Sequence, residues 1–206
     1  RIATLSRELG LPIHTHVHET LEEVETSVAR HGMRPLERLA DLGVVGPELI
    51  AVHAVHMTDG DLRLLAEAGA SVAHCPHSNL KLASGIAPTT RMHELGIGVG
   101  IGTDGSASNN RLDLLGEART AALLAKGQSG SAEAWPAART LRAMTLEAAR
   151  ALGLDDRIGS IEVGKQADLV ALDLSAAELA PVFDPVSHLV YSCGREHVQH
   201  VWVAGR

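Results

Sequence analysis

The sequence predicts an α/β protein in which a parallel β-sheet is covered by helices. Two observations support this class: short apolar runs rich in β-branched residues are nearly continuous, and helical patterns alternate with them. A third concerns the end of the chain, where strands bounded by glycine follow one another without a helix between them. With 206 residues and 45% apolar side chains, the chain can bury a sizeable core.

Four strand–helix units are predicted within residues 1–153. The predicted strands are LPIHTHV (11–17), ELIAVHAV (48–55), ASVAHCP (70–76) and IGVGIGTD (97–104). The predicted helices cover 20–32, 33–43, 58–69, 89–96, 110–126 and 138–153, and the segment 77–88 is predicted to be an irregular loop. Thr20 and Thr58 precede amphipathic runs and are the expected N-caps.

Residues 154–206 are expected to form a second, small β unit. Its strands are predicted within 157–174 and 196–206, because both stretches are bounded by glycine and no helix is predicted between them. The residues 181–194 are predicted to be an irregular connection between these strands.

Composition argues against several classes of partner. The net charge is −7, no run of Lys or Arg occurs and only 2% of residues are aromatic, so neither nucleic acid nor an anionic membrane is an expected partner. No apolar run approaches the ~20 residues of a membrane span. Two cysteines, Cys75 and Cys193, do not suggest a disulfide framework, so a reducing cytoplasm is the expected compartment.

Three of the twelve histidines stand on alternate positions in PIHTHVHET (12–20). Alternation is the period of a strand, so their side chains are predicted to point to one side. We interpret His16 as a metal ligand at the strand end and expect His14 to be packed and hydrogen-bonded one layer deeper. His18 has left the regular strand and is expected in a loop.

A histidine or an aspartate also lies at the carboxyl end of each of the four predicted parallel strands. These residues are His16, His53, His74 and Asp104. The carboxyl ends of parallel strands meet at one edge, where the following loops build sites. Imidazoles with a carboxylate suit Zn²⁺ or Fe²⁺, which can lower the pKa of water from ~15.7 toward ~7. Glu19, three residues beyond His16, is the candidate proton shuttle for a hydrolysis.

Each of these residues also has a structural interpretation. An isolated histidine at a strand end is more often a hydrogen-bonded core or surface residue than a ligand, and Asp104 in GTDG can serve a turn. Four such residues at consecutive strand ends favour the metal site.

At this point several segments resemble the amidohydrolase superfamily, in particular its branch of aminopurine and triazine deaminases and chlorohydrolases. HVHET resembles the strand-five His-x-x-Glu of that branch, and AVHAVHMTD its strand-six histidine segment. HCPHSNLKLASGIAP is similar to the strand-seven loop and GTDGSASNN to the strand-eight aspartate loop. IGSIEVGKQADLVALD is similar to a segment of the small C-terminal β-sandwich.

The resemblance implies roles for individual residues. His16 and Asp104 become ligands of one divalent metal, zinc or alternatively iron, and Asp104 also relays a proton. Glu19 becomes the acid that contacts the reacting ring, and His53 the residue that orients the nucleophile or the substrate. Ser108 falls where the family can contact the nucleoside end of a substrate.

His74 matches a recurrent strand-seven position and is assigned to substrate binding with Glu19, His53 and Ser108.

The family fold is an eight-stranded (β/α) barrel whose first strand carries a His-x-His pair. Here only four strands fit between Pro12 and Asp104, and Glu19 suits strand five. The chain is therefore interpreted as the second half of a (β/α)8 TIM-type barrel (1–153) followed by part of the β-sandwich (154–206). Half a barrel leaves two open strand edges, so we expect a homo-oligomer.

The expected function is metal-dependent hydrolytic deamination of an adenine nucleoside or related small aminopurine. A triazine chlorohydrolase or aminohydrolase and a guanine deaminase are alternatives, because the ring chemistry is the same. A scaffold protein that lost its metal is a remote alternative, since His16, Glu19 and Asp104 are all present.

Overall fold

The computed structural model describes residues 1–206. Its main element is a four-stranded parallel sheet in the order β1-β2-β3-β4. The strands are β1 (Ile13–Val17), β2 (Leu49–His53), β3 (Ser71–His74) and β4 (Gly98–Ile101). Each strand pairs in parallel with the next one along the chain, and β1 and β4 form the two edges. The four predicted strand–helix units are thus confirmed.

Helices connect the strands. They are α1 (Ile2–Leu9), α2 (Leu21–His31), α3 (Pro35–Asp41), α4 (Asp59–Ala68), α5 (Pro76–Lys81), α6 (Thr89–Glu94), α7 (Leu114–Ser129), α8 (Ala137–Met144), α9 (Leu146–Ala151) and α10 (Pro185–Tyr191). The predicted caps are confirmed: the side chain of Thr20 accepts a hydrogen bond from the amide of Glu23, and that of Thr58 from the amide of Asp61. These bonds satisfy amides that a helix start leaves free.

The two faces of the sheet have different environments. Leu49, Ala51, Val72 and Val99 belong to one apolar core formed with the covering helices. The opposite face carries His14 and His16, which are both exposed. The prediction that His14 is packed and hydrogen-bonded in a deeper layer is therefore wrong, because that face of β1 is not covered in this chain.

Two predictions about helices need correction. The segment predicted as an irregular loop begins with α5, whose first residue Pro76 has the fixed backbone angle that suits a helix start. The predicted helix 138–153 is broken at Thr145, which has φ −126° and ψ −95°. The break lets α9 pack on β4, where Gly100 is required: a Cβ there would lie 2.9 Å from the Cα of Ala148.

The C-terminal residues contain β5 (Leu169–Leu172) and β6 (Val198–Trp202), which pair antiparallel. Both strands lie within the predicted ranges, and the residues 157–168 that precede β5 form turns and bends. The connection predicted as irregular contains α10, whose start is capped by Asp184. Short 3₁₀ turns cover Ala177–Leu179 and Arg195–His197.

No helix of the fold is both long enough and apolar enough to serve as a membrane span. Both cysteines are buried free thiols.

Candidate active site

The carboxyl ends of β1, β2 and β4 bring three potential metal ligands together. One ligand atom from each of His16, His53 and Asp104 lies within 4.8 Å of the other two. The rings of His16 and His53 stack with their centroids 5.3 Å apart. Two imidazoles and a carboxylate fit a divalent metal such as zinc, and catalytic zinc sites typically use three protein ligands. His53, expected to orient the nucleophile or substrate, therefore lies among the candidate ligands.

His53 reaches this cluster because its backbone departs from the regular strand. Ala51, two residues earlier, faces the helical core, so strand alternation alone would point His53 to the same side. Its φ is +71°, and the following Ala54 also has a positive φ of 46°. Such angles are strained for residues with a side chain and are held in place by the surrounding structure. Here they turn the ring of His53 away from the face that strand alternation predicts.

Hydroxyl groups hold the carboxylate of Asp104. Ser78 and Ser108 donate to Oδ2 at 2.6 and 2.7 Å, and the amide of Gly105 donates to Oδ1 at 2.7 Å. Partial burial would raise the pKa of Asp104, but these three hydrogen bonds outweigh it and lower the pKa to about 2. Asp104 is therefore ionised at neutral pH, as a metal ligand must be.

Glu19 lies next to the three clustered residues. Its Oε2 is 3.6 Å from Nε2 of His53, and its Oε1 is 3.4 Å from the hydroxyl of Ser84. The turn that carries it is fixed by Glu23, whose carboxylate accepts hydrogen bonds from the backbone amides of His18 and Glu19. The position of Glu19 beside His16, His53 and Asp104 suits a proton donor.

His18 follows β1 as predicted, but its role was not apparent from the sequence. The side chain is fully buried, and Nε2 accepts a hydrogen bond from the amide of Leu36 at 3.1 Å. Nδ1 lies 3.7 Å from Asp61, which forms an ion pair with Arg34 at 2.8 Å. Burial lowers the pKa of His18 despite the nearby Asp61. This neutral imidazole ties the loop that carries Glu19 to the start of α3.

His74 is not among the clustered ligand atoms. Its ring packs edge-on against Trp135 with the centroids 6.4 Å apart, and it is 2% exposed. Burial lowers the pKa of His74 to about 4. Nδ1 makes no hydrogen bond to the protein. The strand end at His74 therefore holds a neutral imidazole in the core.

The loop after β3 contains two contacts that sequence reasoning missed. Ser78 and Asn79 follow one another in α5; Ser78 binds Asp104, and the side-chain oxygen of Asn79 lies 2.8 Å from Nδ1 of His53. The motif SNLKL was visible in the sequence, but its periodicity does not reveal these contacts.

Glu117 of α7 anchors the same loop to the one that carries Asp104. It is fully buried and accepts hydrogen bonds from the amide of His77 and the side chain of Asn109. Burial raises the pKa of Glu117 to about 7 although these hydrogen bonds oppose the shift. The side chain joins the loops after β3 and β4, which carry Ser78 and Asp104.

The fold and the cluster together define part of a β/α barrel with a candidate metal centre at the carboxyl ends of its strands. The model of the amidohydrolase family matches residues 1–206. The chain therefore belongs to the amidohydrolase family.

Curated relatives agree with this assignment. A 5-methylthioadenosine/S-adenosylhomocysteine deaminase from Teredinibacter turnerae is 48% identical over 205 residues, which cover 100% of this chain and 46% of the relative. One of the same name from Halobacterium salinarum is 50% identical, over 95% of this chain and 45% of the relative. The chain thus spans about half the length of these relatives.

Solved structures also match this chain over about half of their own length. An adenosine deaminase from Xanthomonas campestris with bound zinc has a TM-score of 0.98 and 54% identity, over 100% of this chain and 47% of that one. An atrazine chlorohydrolase from Arthrobacter aurescens complexed with zinc has a TM-score of 0.93 and 30% identity, over 98% and 45% of the two chains. The prediction of a partial (β/α)8 barrel is confirmed.

Proposed function

We propose that the protein containing this chain is a metal-dependent hydrolytic deaminase of an adenine nucleoside such as 5′-methylthioadenosine or S-adenosylhomocysteine. The observation that carries the proposal is the meeting of His16, His53 and Asp104, with Glu19 directly beside them. The similarity to deaminases over the whole chain supports the choice of substrate.

In this proposal His16 and Asp104 hold one divalent metal, zinc or alternatively iron, and His53 is close enough to contribute a third ligand atom or to orient the nucleophile. When bound, the metal supplies Lewis-acid activation of water, whose pKa falls from ~15.7 toward ~7. The ionised state of Asp104, which its low pKa supports, provides the negative charge that a cation requires.

The two carboxylates have different tasks. Glu19 delivers a proton to the ring nitrogen beside the carbon that bears the amino group, which makes that carbon more susceptible to attack by water. Asp104 takes a proton from the attacking water and passes it to the departing ammonia. Ser108 then contributes to substrate contacts from the loop that follows Asp104, although its hydroxyl is bonded to Asp104 here.

His74 enters this proposal only as an indirect contributor to substrate binding. It is buried against Trp135, and the loop with Ser78 and Asn79 begins two residues after it, at α5. Its effect on the substrate would therefore act through the placement of that loop.

Hydrolysis of a chlorinated or aminated triazine is the second candidate. It is favoured by one observation, the match to an atrazine chlorohydrolase at a TM-score of 0.93 and 30% identity. The match to an adenosine deaminase at 54% identity favours the adenine nucleoside. Guanine deamination requires the same ring chemistry and is tested alongside.

We further infer an organisation into a barrel unit (1–153) and a β-sandwich segment (154–206), a homo-oligomeric state and a cytoplasmic location. In the 206 residues taken alone, the edges of β1 and β4 are open, and this supports self-association of the chain, since unpaired strands expose free backbone groups. Two unpaired thiols support a reducing compartment.

The test is a substrate panel on the complete polypeptide that contains these residues, loaded with zinc. Ammonia release is measured with 5′-methylthioadenosine, S-adenosylhomocysteine, adenosine and guanine, and chloride release with a chlorotriazine. We expect the highest kcat/KM for an adenine nucleoside. Chloride release from the triazine, or ammonia from guanine alone, would assign the alternative function.

A further inference from the structure

The side chain of Asn79 contacts His53 on the side of the ring that faces away from Glu19 and Asp104. Its Oδ1 lies 2.8 Å from Nδ1 of His53, and both residues are 1% exposed. Nδ2 of Asn79 is buried and makes no hydrogen bond to the protein, so the contact with His53 is the polar contact of this side chain.

The chemistry of the two groups determines the position of one proton. An amide oxygen only accepts hydrogen bonds, so the contact with Asn79 requires a proton on Nδ1 of His53. A neutral imidazole carries one such proton, and Nε2 is then left with a free lone pair. Nε2 is the atom that points toward Glu19 and Asp104.

The carboxylates on the other side of the ring act in the opposite sense. Oε2 of Glu19 is 3.6 Å and Oδ2 of Asp104 is 4.0 Å from Nε2, and negative charge at these distances favours a proton on Nε2. Both separations exceed hydrogen-bond distance, whereas the contact with Asn79 is within it. The contact with Asn79 and the two carboxylates therefore favour different tautomers, and of these contacts the one with Asn79 is at hydrogen-bond distance.

We propose that Asn79 is a positioning residue that holds His53 in the Nδ1–H tautomer, so that the lone pair of Nε2 faces the cavity. Histidines that bind metals generally donate their other ring proton to a carboxylate, a carbonyl or water, which fixes the tautomer and the ring orientation. Here the side-chain oxygen of Asn79, on α5, accepts that proton. The inference deepens the proposed function and rests on it only for the activity measurements.

The direct test is the tautomer of His53 in the complete polypeptide, labelled with ¹⁵N-histidine. Long-range ¹H–¹⁵N spectra are recorded at about pH 8, above the ordinary histidine pKa of ~6.5. Metal-free protein and protein with added zinc are compared, and His53 is assigned by its loss in His53→Gln. We expect a protonated Nδ1 and an unprotonated Nε2 in the metal-free wild type. A proton on Nε2 there would overturn the proposal, whatever the variants do.

Variants separate the hydrogen bond from packing. Asn79→Leu has a similar size but no acceptor, and we expect its His53 to shift toward the Nε2–H tautomer. Asn79→Asp keeps an acceptor oxygen and should keep the proton on Nδ1. The matched control is Asn110→Leu, because Asn110 is an exposed residue bonded to Lys81. An unchanged tautomer in a folded Asn79→Leu protein would also overturn the proposal.

Zinc affinity, measured by competition with a chelator, and turnover complete the test. Loss of such a supporting contact typically costs 10–100-fold, so Asn79→Leu should weaken zinc binding or turnover by ~10–100-fold and Asn79→Asp by much less. A loss of the same size in both variants would contradict the tautomer role. If the tautomers behave as expected but no heterocycle is deaminated, the inference stands and the proposed function fails.

Discussion

Glu19 and His53 face each other across the candidate site, with Oε2 of Glu19 3.6 Å from Nε2 of His53. The three clustered ligand atoms belong to His16, His53 and Asp104 and not to Glu19, so Glu19 stands beside the candidate metal position. A carboxyl group in this place can exchange a proton with a substrate without taking part in metal binding. This separation leads to different expectations for the two acidic residues of the site.

Glu19→Gln should lose most turnover and keep the metal. Glutamine has nearly the same shape but cannot deliver a proton, and general acid catalysis typically contributes ~10²–10⁴-fold. Metal content and kcat on an adenine nucleoside are measured in the complete polypeptide. Glu25→Gln, an exposed change on α2, the helix that follows Glu19, is the control. An empty metal site in Glu19→Gln would mean that this residue is a ligand.

Asp104→Ala should lose metal and activity together, because it removes a candidate ligand and a proton relay at once. It also removes the carboxylate that accepts hydrogen bonds from the hydroxyls of Ser78 and Ser108. Zinc content is determined by elemental analysis, and turnover is measured in the same preparation. Full zinc occupancy in this variant would show that the metal is held elsewhere.

Acid should destabilise the protein partly through His74. Its folded-state pKa of about 4 lies below the ordinary value of 6.5, so the unfolded chain binds more protons between these pH values. The stability contributed by the neutral imidazole is present above pH 6.5 and is lost as the pH falls toward 4. The slope of the unfolding free energy with pH in this window should decrease by up to about 1.4 kcal/mol per pH unit in His74→Gln. The exposed His200→Gln serves as the control, and an equal slope in wild type and His74→Gln would contradict the expectation.

Asp61→Ala should destabilise the fold by about 3 kcal/mol. The change leaves Arg34 without its partner and removes the carboxylate that bonds Thr58 at the start of α4. Unfolding by denaturant measures the loss. Asp59→Ala, two residues earlier and exposed, is the matched control and should change stability much less. Equal effects of both changes would contradict a special role of the ion pair.

The 206 residues expressed alone should associate, bind metal weakly and show no deaminase activity. Both edges of the parallel sheet are open in this chain, and His14 and His16 of β1 are exposed. Light scattering, zinc content and ammonia release measure the three properties. A monomer with stoichiometric zinc would contradict this prediction.

The sequence by itself determined the order of the four parallel strands and the location of the candidate site. Hydrophobic periodicity was sufficient for the four parallel strands, because each is a short apolar run next to an amphipathic helix. Since parallel strands end at a common edge, His16, His53 and Asp104 could be expected to meet. The helix starts at Thr20 and Thr58 could also be predicted from the sequence, because capping is a local interaction.

Tertiary structure decided what local patterns do not encode. The break at Thr145 lets α9 pack on β4, and His14 is exposed because its face of β1 is uncovered in this chain. His53 and His74 both end strands, yet a positive φ turns the first toward the cluster while the second packs on Trp135.

The contacts that support the candidate site could likewise not be predicted from the sequence. Asn79 lies 26 residues from His53, and Asp61 is 27 residues from Arg34. Such pairs form only when separate loops are brought together at the strand ends, and periodicity describes neighbours within one element. The candidate ligands were predictable because they share strand ends, whereas the residues that orient them depend on how the loops pack in three dimensions.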